Sequence, residues 1–271
     1  MISEKIGFIG AGQMARALAK GLVEAKLADG AQIAASDPFA ESRSQFQKMV
    51  PNSHVSDSNR DTVAAADVVV LAVKPQSMQD VLTELADHVS SEQLVISIAA
   101  GVRLSQIADQ LGSDKRLIRV MPNTPCLVGQ SASAFAVGTN ATDADAALVE
   151  QLLSAVGHAH RLDESLLDAV TGLSGSGPAF VSVFIEALSD GGVRVGLPGN
   201  VAMALAVQTV LGTAELIRST GEHPSVIKDR VASPGGTTIA GLKALETHGF
   251  RAAVISAVEA ATKRSIELGS Q

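Results

Sequence analysis

Lys5-Ile6-Gly7-Phe8-Ile9-Gly10-Ala11-Gly12-Gln13-Met14-Ala15 is the stretch whose reading decides the fold. The apolar run of Ile6, Phe8 and Ile9 enters glycines at 10 and 12, and a helix-forming stretch over 14–26 leaves them. That is the strand–turn–helix order a dinucleotide site requires. Gly10 permits the tight turn. Gly12 has no side chain, so a pyrophosphate can approach the backbone and rest on the N–H groups of the next helix, those of Gln13 and Met14 first. Ala15 takes the place of a third glycine at the helix–strand contact. A glycine turn without a ligand is the bland alternative, and it does not explain the flanking strand and helix.

Outward from this turn, apolar strands alternate with helix-like stretches to about residue 163, the pattern of a parallel sheet with crossover helices. Strands are predicted at 32–36, 68–73, 94–98 and 117–121, with 132–137 and a short 158–161 closing the sheet. Helices are predicted at 39–49, 78–87, 104–111 and 143–156. Residues 68–73, Val-Val-Val-Leu-Ala-Val, are apolar on both faces, as a central parallel strand is. After Asp163 the strand signal stops, and helices are expected at 164–172, 177–191, 198–219, 224–231, 237–247 and 250–268. The expected fold is therefore α/β: a Rossmann-type doubly wound parallel sheet over 1–163 that binds a dinucleotide, then an all-helical domain over 164–271. The helix over 202–216 is apolar nearly all round, so it must be buried within its domain or against another subunit. A small helical domain has few faces to hide it, which favours a homodimer.

Composition narrows the function classes. A chain of 271 residues is expected to split into two domains. Its charge of −7, with 21 Lys+Arg against 28 Asp+Glu and no basic run, argues against a nucleic-acid or anionic-membrane surface. Expected partners are small molecules or copies of itself. The one cysteine, Cys126, cannot form an internal disulfide, and the first residues lack the basic-then-apolar pattern of an export signal, so a cytoplasmic enzyme is expected. The charge-free run 195–214 has the length of a membrane span but is rich in Gly and Ala and contains Pro198, Asn200 and Gln208, so it reads as a buried helix. Trp and Tyr are absent, which removes both an interfacial aromatic belt and a Tyr acid.

Ser36-Asp37-Pro38 ends the second predicted strand, where such folds meet the adenosine ribose. Asp37 is the acidic residue expected on a ribose 2′-OH, which favours NAD, while Ser36 and Arg43 can accommodate a 2′-phosphate. Equally, Asp37 can cap the helix that follows Pro38. Val73-Lys74-Pro75 leaves the central strand at its ligand-binding end, so this turn is expected beside the cofactor. Lys74 is a candidate general acid, although lysines at such positions are more often solvated or on a phosphate. Asn59 precedes the same strand and either caps its helix or hydrogen-bonds the cofactor.

Arg119-Val120-Met121-Pro122-Asn123-Thr124-Pro125 ends another strand on the same side, and its two prolines make the turn stiff. Thr171-Gly172-Leu173-Ser174-Gly175-Ser176-Gly177-Pro178 opens the helical domain, its three glycines allowing close approach by substrate, nicotinamide or a packed helix. Ser233-Pro234-Gly235-Gly236-Thr237-Thr238 precedes a helix whose free N–H groups and positive end make a carboxylate site. A glycine-rich cap accounts for the glycines but not for the hydroxyls of Ser233, Thr237 and Thr238 clustered with them. The six histidines, at 54, 88, 158, 160, 223 and 248, lack metal-site spacing, and no metal is expected.

Taken together over nearly the whole chain, the opening turn, Ala72-Val73-Lys74-Pro75-Gln76, the 119–125 turn, Ser174-Gly175-Ser176-Gly177-Pro178-Ala179-Phe180 and the 233–238 loop resemble pyrroline-5-carboxylate reductase. The last of these motifs is the most specific and the first the least. The resemblance implies reduction of 1-pyrroline-5-carboxylate to L-proline with NADP(H), or with NAD(H), as cofactor. It implies a helical domain that dimerises by interleaving, with dimers often gathered into a decamer of five. It implies further that Ser233, Gly235, Gly236, Thr237 and Thr238 hold the substrate carboxylate, that Thr238 is the catalytic residue near the ring nitrogen, and that Asn59 and Val73-Lys74-Pro75 touch the cofactor. Members preferring NADPH often carry Arg soon after the second strand, where this chain has Asp37-Pro38, which leaves the choice of cofactor open.

The chemistry agrees with the residues. A carbonyl reduction needs an acid for the developing alkoxide, whereas a protonated cyclic imine carries its proton already and needs orientation and a carboxylate anchor. The chain offers an anchor and no obvious acid. A β-hydroxyacid dehydrogenase, the nearest enzyme rival, uses a lysine on its first long interdomain helix. Here no lysine occurs between Lys115 and Lys228, and Val181-Ser182-Val183-Phe184 occupies the relevant stretch. A dinucleotide sensor without catalysis is the alternative from another class.

Overall fold

A computed structural model of the chain describes residues 1–269. Eight strands, β1 (Ile6–Ile9), β2 (Ile33–Ser36), β3 (His54–Ser56), β4 (Val68–Leu71), β5 (Leu94–Ser97), β6 (Arg116–Met121), β7 (Ser131–Val137) and β8 (Gly157–Arg161), form one sheet in the order β3-β2-β1-β4-β5-β6-β7-β8. The order reverses between β1 and β4, both parallel to their neighbours, which creates the crevice where doubly wound folds take ligands. The expectation of a parallel sheet needs one amendment: β7 runs antiparallel to β6. Only the turn at 122–130 joins those two strands, and a parallel return requires a crossover of a dozen or more residues. The short edge strand β3 has no counterpart among the predicted strands, since His54-Val55-Ser56 is too short and too polar to carry a periodic signal.

The period of two along the strands builds two cores. Ile6, Phe8, Val68 and Val70 point to one face, against Leu18 and Leu22 of α1 (Gln13–Glu24) and Val149 and Leu153 of α6 (Asp143–Ser154). Ile9, Val69 and Leu71 point to the other. There they meet Met78, Leu82 and Leu85 of α4 (Pro75–Leu85) and Leu104, Ile107 and Leu111 of α5 (Leu104–Leu111). The short helices α2 (Ala40–Met49) and α3 (Asn59–Ala64) flank the β2–β3 end.

After β8 the chain enters a short 3₁₀ turn at Glu164–Leu166, then α7 (Leu167–Val170) and a π-helical segment at Thr171–Gly175, where a continuous helix over 164–172 was expected. Helices α8 (Gly177–Arg194), α9 (Gly199–Thr220), α10 (Pro224–Val231), α11 (Thr237–Thr247) and α12 (Phe250–Leu268) complete the chain, close to their expected spans. Two compact units result: Met1–Ser176 with Ala260–Gln271, and Gly177–Glu259. Residues 164–176 pack with the sheet because Glu164 and Asp168 reach Arg119 on β6, and Ser265 at the end of α12 donates to Asp168 Oδ1 at 2.7 Å.

In the second unit α8 and α9 form a hairpin, with Gly192 against Ala202. Only Ala202 and Ala206 of α9 are buried, while Leu205 is 53% and Leu211 60% exposed. The expectation that this helix lies buried therefore fails within one chain, because a hairpin partner covers a single stripe. By length and hydropathy alone α9 also satisfies the criterion for a membrane span, with 11% of that stretch buried.

Candidate functional site

The glycine turn leaves β1 at the switch point. Gly10 adopts φ +98°, and a Cβ there would lie 2.9 Å from the Ala72 carbonyl oxygen, so both backbone conformation and space demand glycine. Gly12 differs. It is the N-cap of α1 at φ −71°, and a Cβ there would meet nothing within 4 Å. No side chain caps α1 and no acidic residue occupies its first turn. The N–H groups of Gln13 and Met14 thus open onto free space at a positive helix end, a cradle suited to a phosphate.

Ser36 and Asp37 stand at the end of β2, next to this turn. The Asp37 carboxylate accepts from the Ala11 N–H at 3.0 Å and from the Phe39 N–H at 2.9 Å, and Arg43 lays its guanidinium over the Asp37 and Pro38 carbonyls. Asp37 is therefore a brace between β2 and the glycine turn. It is not the cap of α2, whose N-cap is Phe39 without a side-chain bond. Buried Ser36 donates to Asn59 Oδ1 at 2.7 Å, and Asn59 Nδ2 donates to Glu84 at 2.8 Å. The helix-capping role open to Asn59 belongs to Ser58, which accepts from the Asp61 N–H. Glu84 is a partner that spacing along the sequence could not disclose.

Val73 closes on Gly10, and Lys74 is the exposed N-cap of α4 with Pro75 at the first helical position. The 121–125 turn continues in a 3₁₀ helix at Thr124–Val128 that reaches α1: the Cys126 sulfur lies 3.9 Å from Met14 Sδ, and Leu127 shares a surface pocket with Gln13 and Arg16. Burial pushes the Cys126 thiol from 9.0 up to about 11, so it stays protonated at neutral pH and is no nucleophile. The structure thus brings Gly10, Gly12, Gln13, Met14, Ser36, Asp37, Asn59 and 73–75 to one edge of the sheet.

In the helical unit, Gly235 (φ +67°) turns the chain and Gly236 is the N-cap of α11. Here too no side chain caps the helix and its first turn holds no acid, while Ser233 packs its hydroxyl against Gly236. Thr237 and Thr238 are the first two helical residues, Thr238 half-buried. Lys228, Lys243 and Arg251, with Glu246, line a cavity of about 440 Å³ beside Gly235 and Gly236, and of these cations Arg251 pairs with Glu246 at 2.6 Å and Lys228 with Asp229 at 2.8 Å. Among the described residues, no group of three or more His, Cys, Asp or Glu is placed to hold a metal.

This chain is 48% identical over 267 residues to a pyrroline-5-carboxylate reductase of Arabidopsis thaliana, covering 98% of this chain and 96% of that relative. The chain belongs to the pyrroline-5-carboxylate reductase family. A family member from Methanosarcina acetivorans is 47% identical over 271 residues, covering the whole of both. A pyrroline-5-carboxylate reductase structure from Coxiella burnetii superposes with TM-score 0.92 at 36% identity, covering 98% of this chain and 99% of that one. A Plasmodium falciparum pyrroline carboxylate reductase, solved with NADP bound, does so with TM-score 0.89 at 33% identity and 99% coverage of each. The family profile described as pyrroline-5-carboxylate reductase dimerisation matches residues 164–268, and one described as NADP oxidoreductase, coenzyme F420-dependent, matches 5–101. The exposed apolar surface of α9 falls within the dimerisation match.

Proposed function

We infer that this chain is an oxidoreductase of proline biosynthesis that reduces 1-pyrroline-5-carboxylate to L-proline with NADPH or NADH. The observation that carries this reading is the pair of uncapped, acid-free helix ends at Gly12 and Gly236, the second set among three hydroxyls and beside Lys243. One suits a pyrophosphate and the other a carboxylate. When bound, the nicotinamide supplies hydride. The chain's own part is to hold and orient. Gly10, Gly12, Gln13 and Met14 receive the pyrophosphate, Ser36, Asp37 and Asn59 face the adenosine half, and Val73, Lys74 and Pro75 border the cofactor. Ser233, Gly235, Gly236 and Thr237 hold the substrate carboxylate, and Thr238 places its hydroxyl by the ring nitrogen. Hydride adds to the imine carbon, and the π pair becomes the nitrogen lone pair. A protonated imine needs no acid at that step, which fits a chain with no lysine between 115 and 228.

In this reading residues 1–163 form the dinucleotide-binding domain and 164–271 the substrate-binding, dimerising domain, a division of tasks that differs from the packing units. The exposed faces of α8 and α9 support a homodimer, and the resemblance extends this to five dimers in a decamer. A cytoplasmic enzyme with no nucleic-acid or membrane partner is part of the same proposal, supported by the net charge of −7 and the single cysteine.

The test is NADPH oxidation dependent on 1-pyrroline-5-carboxylate, with L-proline as product. Cofactor binding without oxidation leaves the sensor alternative standing. In the same assay Thr238→Ala is expected to lower kcat/KM about tenfold or more, as for a lost hydrogen bond to the reacting centre, with NADPH affinity unchanged. Equal losses in both would assign Thr238 to folding. Asp37→Asn removes one of two acceptors for backbone N–H groups, so it should cost about 1–3 kcal/mol. Loss of the negative charge should raise kcat/KM for NADPH relative to NADH, and an unchanged ratio would confine Asp37 to bracing the turn.

A further inference from the structure

The π-helical segment at Thr171–Gly175 leaves a carbonyl in need of a donor. In α-helical register the Ser174 C=O would accept from residue 178, which is Pro178 and has no N–H. The donor comes from the turn after β6 instead: Asn123 Nδ2 reaches Ser174 O at 3.0 Å. The other end of the same amide is equally committed, Oδ1 accepting from the Ala132 N–H at 3.0 Å and from the Ser131 hydroxyl at 3.2 Å. Asn123 is 8% exposed, so its own amide is largely withdrawn from bulk water while it makes these bonds. A second contact binds the same two pieces, since Met121 at the end of β6 packs its terminal methyl against Gly175. Asn123 is also the N-cap of the 3₁₀ helix at Thr124–Val128, which touches α1 through Cys126 and Met14. One buried amide therefore ties together the end of β6, the start of β7, the π segment and a helix lying against the phosphate-binding end of α1.

We propose that Asn123 is a positioning residue for hydride transfer: by clamping the turn after β6 to the π segment it fixes the wall over which the nicotinamide half must lie. A dinucleotide whose pyrophosphate rests at β1 and whose adenosine faces β2 extends its other half toward β4, β5 and β6. The inference rests on the dinucleotide reading of the glycine turn.

Amide hydrogen exchange on the unliganded protein tests the clamp without the cofactor. In the wild type the Ser176 N–H, which bonds the Thr171 carbonyl, should be protected like the sheet, and fast exchange there would overturn the proposal without any variant. Asn123→Asp keeps an acceptor for Ala132 and Ser131 but turns an oxygen toward Ser174 O. It should speed exchange over 172–176 by about tenfold or more. It should also lower kcat by about 10- to 100-fold, the scale of a small misplacement of reacting groups, and raise the deuterium isotope effect on kcat while NADPH affinity holds. Ser131→Ala leaves the bond to Ser174 and should stay near wild type in all four readouts. Wild-type exchange and kcat in Asn123→Asp, or equal damage from Ser131→Ala, would overturn the proposal. Loss of NADPH affinity in the wild type itself would instead refute the dinucleotide reading.

Discussion

Replacing Gly12 by valine is expected to leave the fold intact and to abolish dinucleotide binding. A Cβ at Gly12 meets nothing within 4 Å, and φ −71° is open to any residue, so unfolding free energy should fall by only about 1 kcal/mol, the scale of a poorer N-cap. The new side chain fills the space that the Gln13 and Met14 N–H groups face, and the Kd for NADPH should rise by about a hundredfold or more if the pyrophosphate lies there. Gly10→Ala is the informative contrast. At φ +98°, with the Ala72 carbonyl 2.9 Å from the new Cβ, it should cost about 1–3 kcal/mol in backbone strain alone. Titration calorimetry and denaturant unfolding on both variants separate the two effects. An unchanged NADPH affinity in Gly12→Val would remove the glycine turn from the cofactor site.

Arg119→Met is expected to destabilise the sheet unit strongly. The guanidinium is buried, 3.2 Å from Glu164 and 3.8 Å from Asp168. Glu164 also accepts from the Leu104 N–H at 2.7 Å and Asp168 from the Ser265 hydroxyl at 2.7 Å. Methionine fills the volume but leaves two carboxylates near each other with no cation, a loss of about 3–5 kcal/mol for a broken buried pair. The melting temperature should fall by on the order of 10 °C. Adding Asp168→Asn should recover part of the loss, because one uncompensated charge is then gone. A loss in Arg119→Met below about 1 kcal/mol would mean that the cluster is solvated rather than buried.

These two sites differ in how far the sequence discloses them. The Gly10–Gly12 turn is local: its meaning lies in the six residues 10–15 and in the strand and helix on either side, and the structure places it at the switch point as that order requires. The Ser233–Thr238 loop is local in the same sense, since a helix N-terminus is built from its own first turn. Arg119 and Asn123 lie in a stretch that reads only as a stiff, proline-bound turn. Their partners at 164, 168 and 174 are 45 to 51 residues away, and nothing periodic connects them. The π segment was equally hidden, because the donor to its Ser174 carbonyl comes from the turn after β6, 51 residues away.

By itself, then, the sequence determined most of the elements, a largely parallel sheet with 68–73 as a central strand, and the two helix ends suited to anions. Those depend on short-range period, glycine placement and chain order, which act within a few residues. Only the tertiary structure decided the antiparallel β7, the brace of Asp37 against the glycine turn, the pairing of Asn59 with Glu84 and the exposure of α9. Each of these is a long-range pairing or its absence. Closing such a pair depends on how the whole chain packs, and no local pattern of residues encodes the partner.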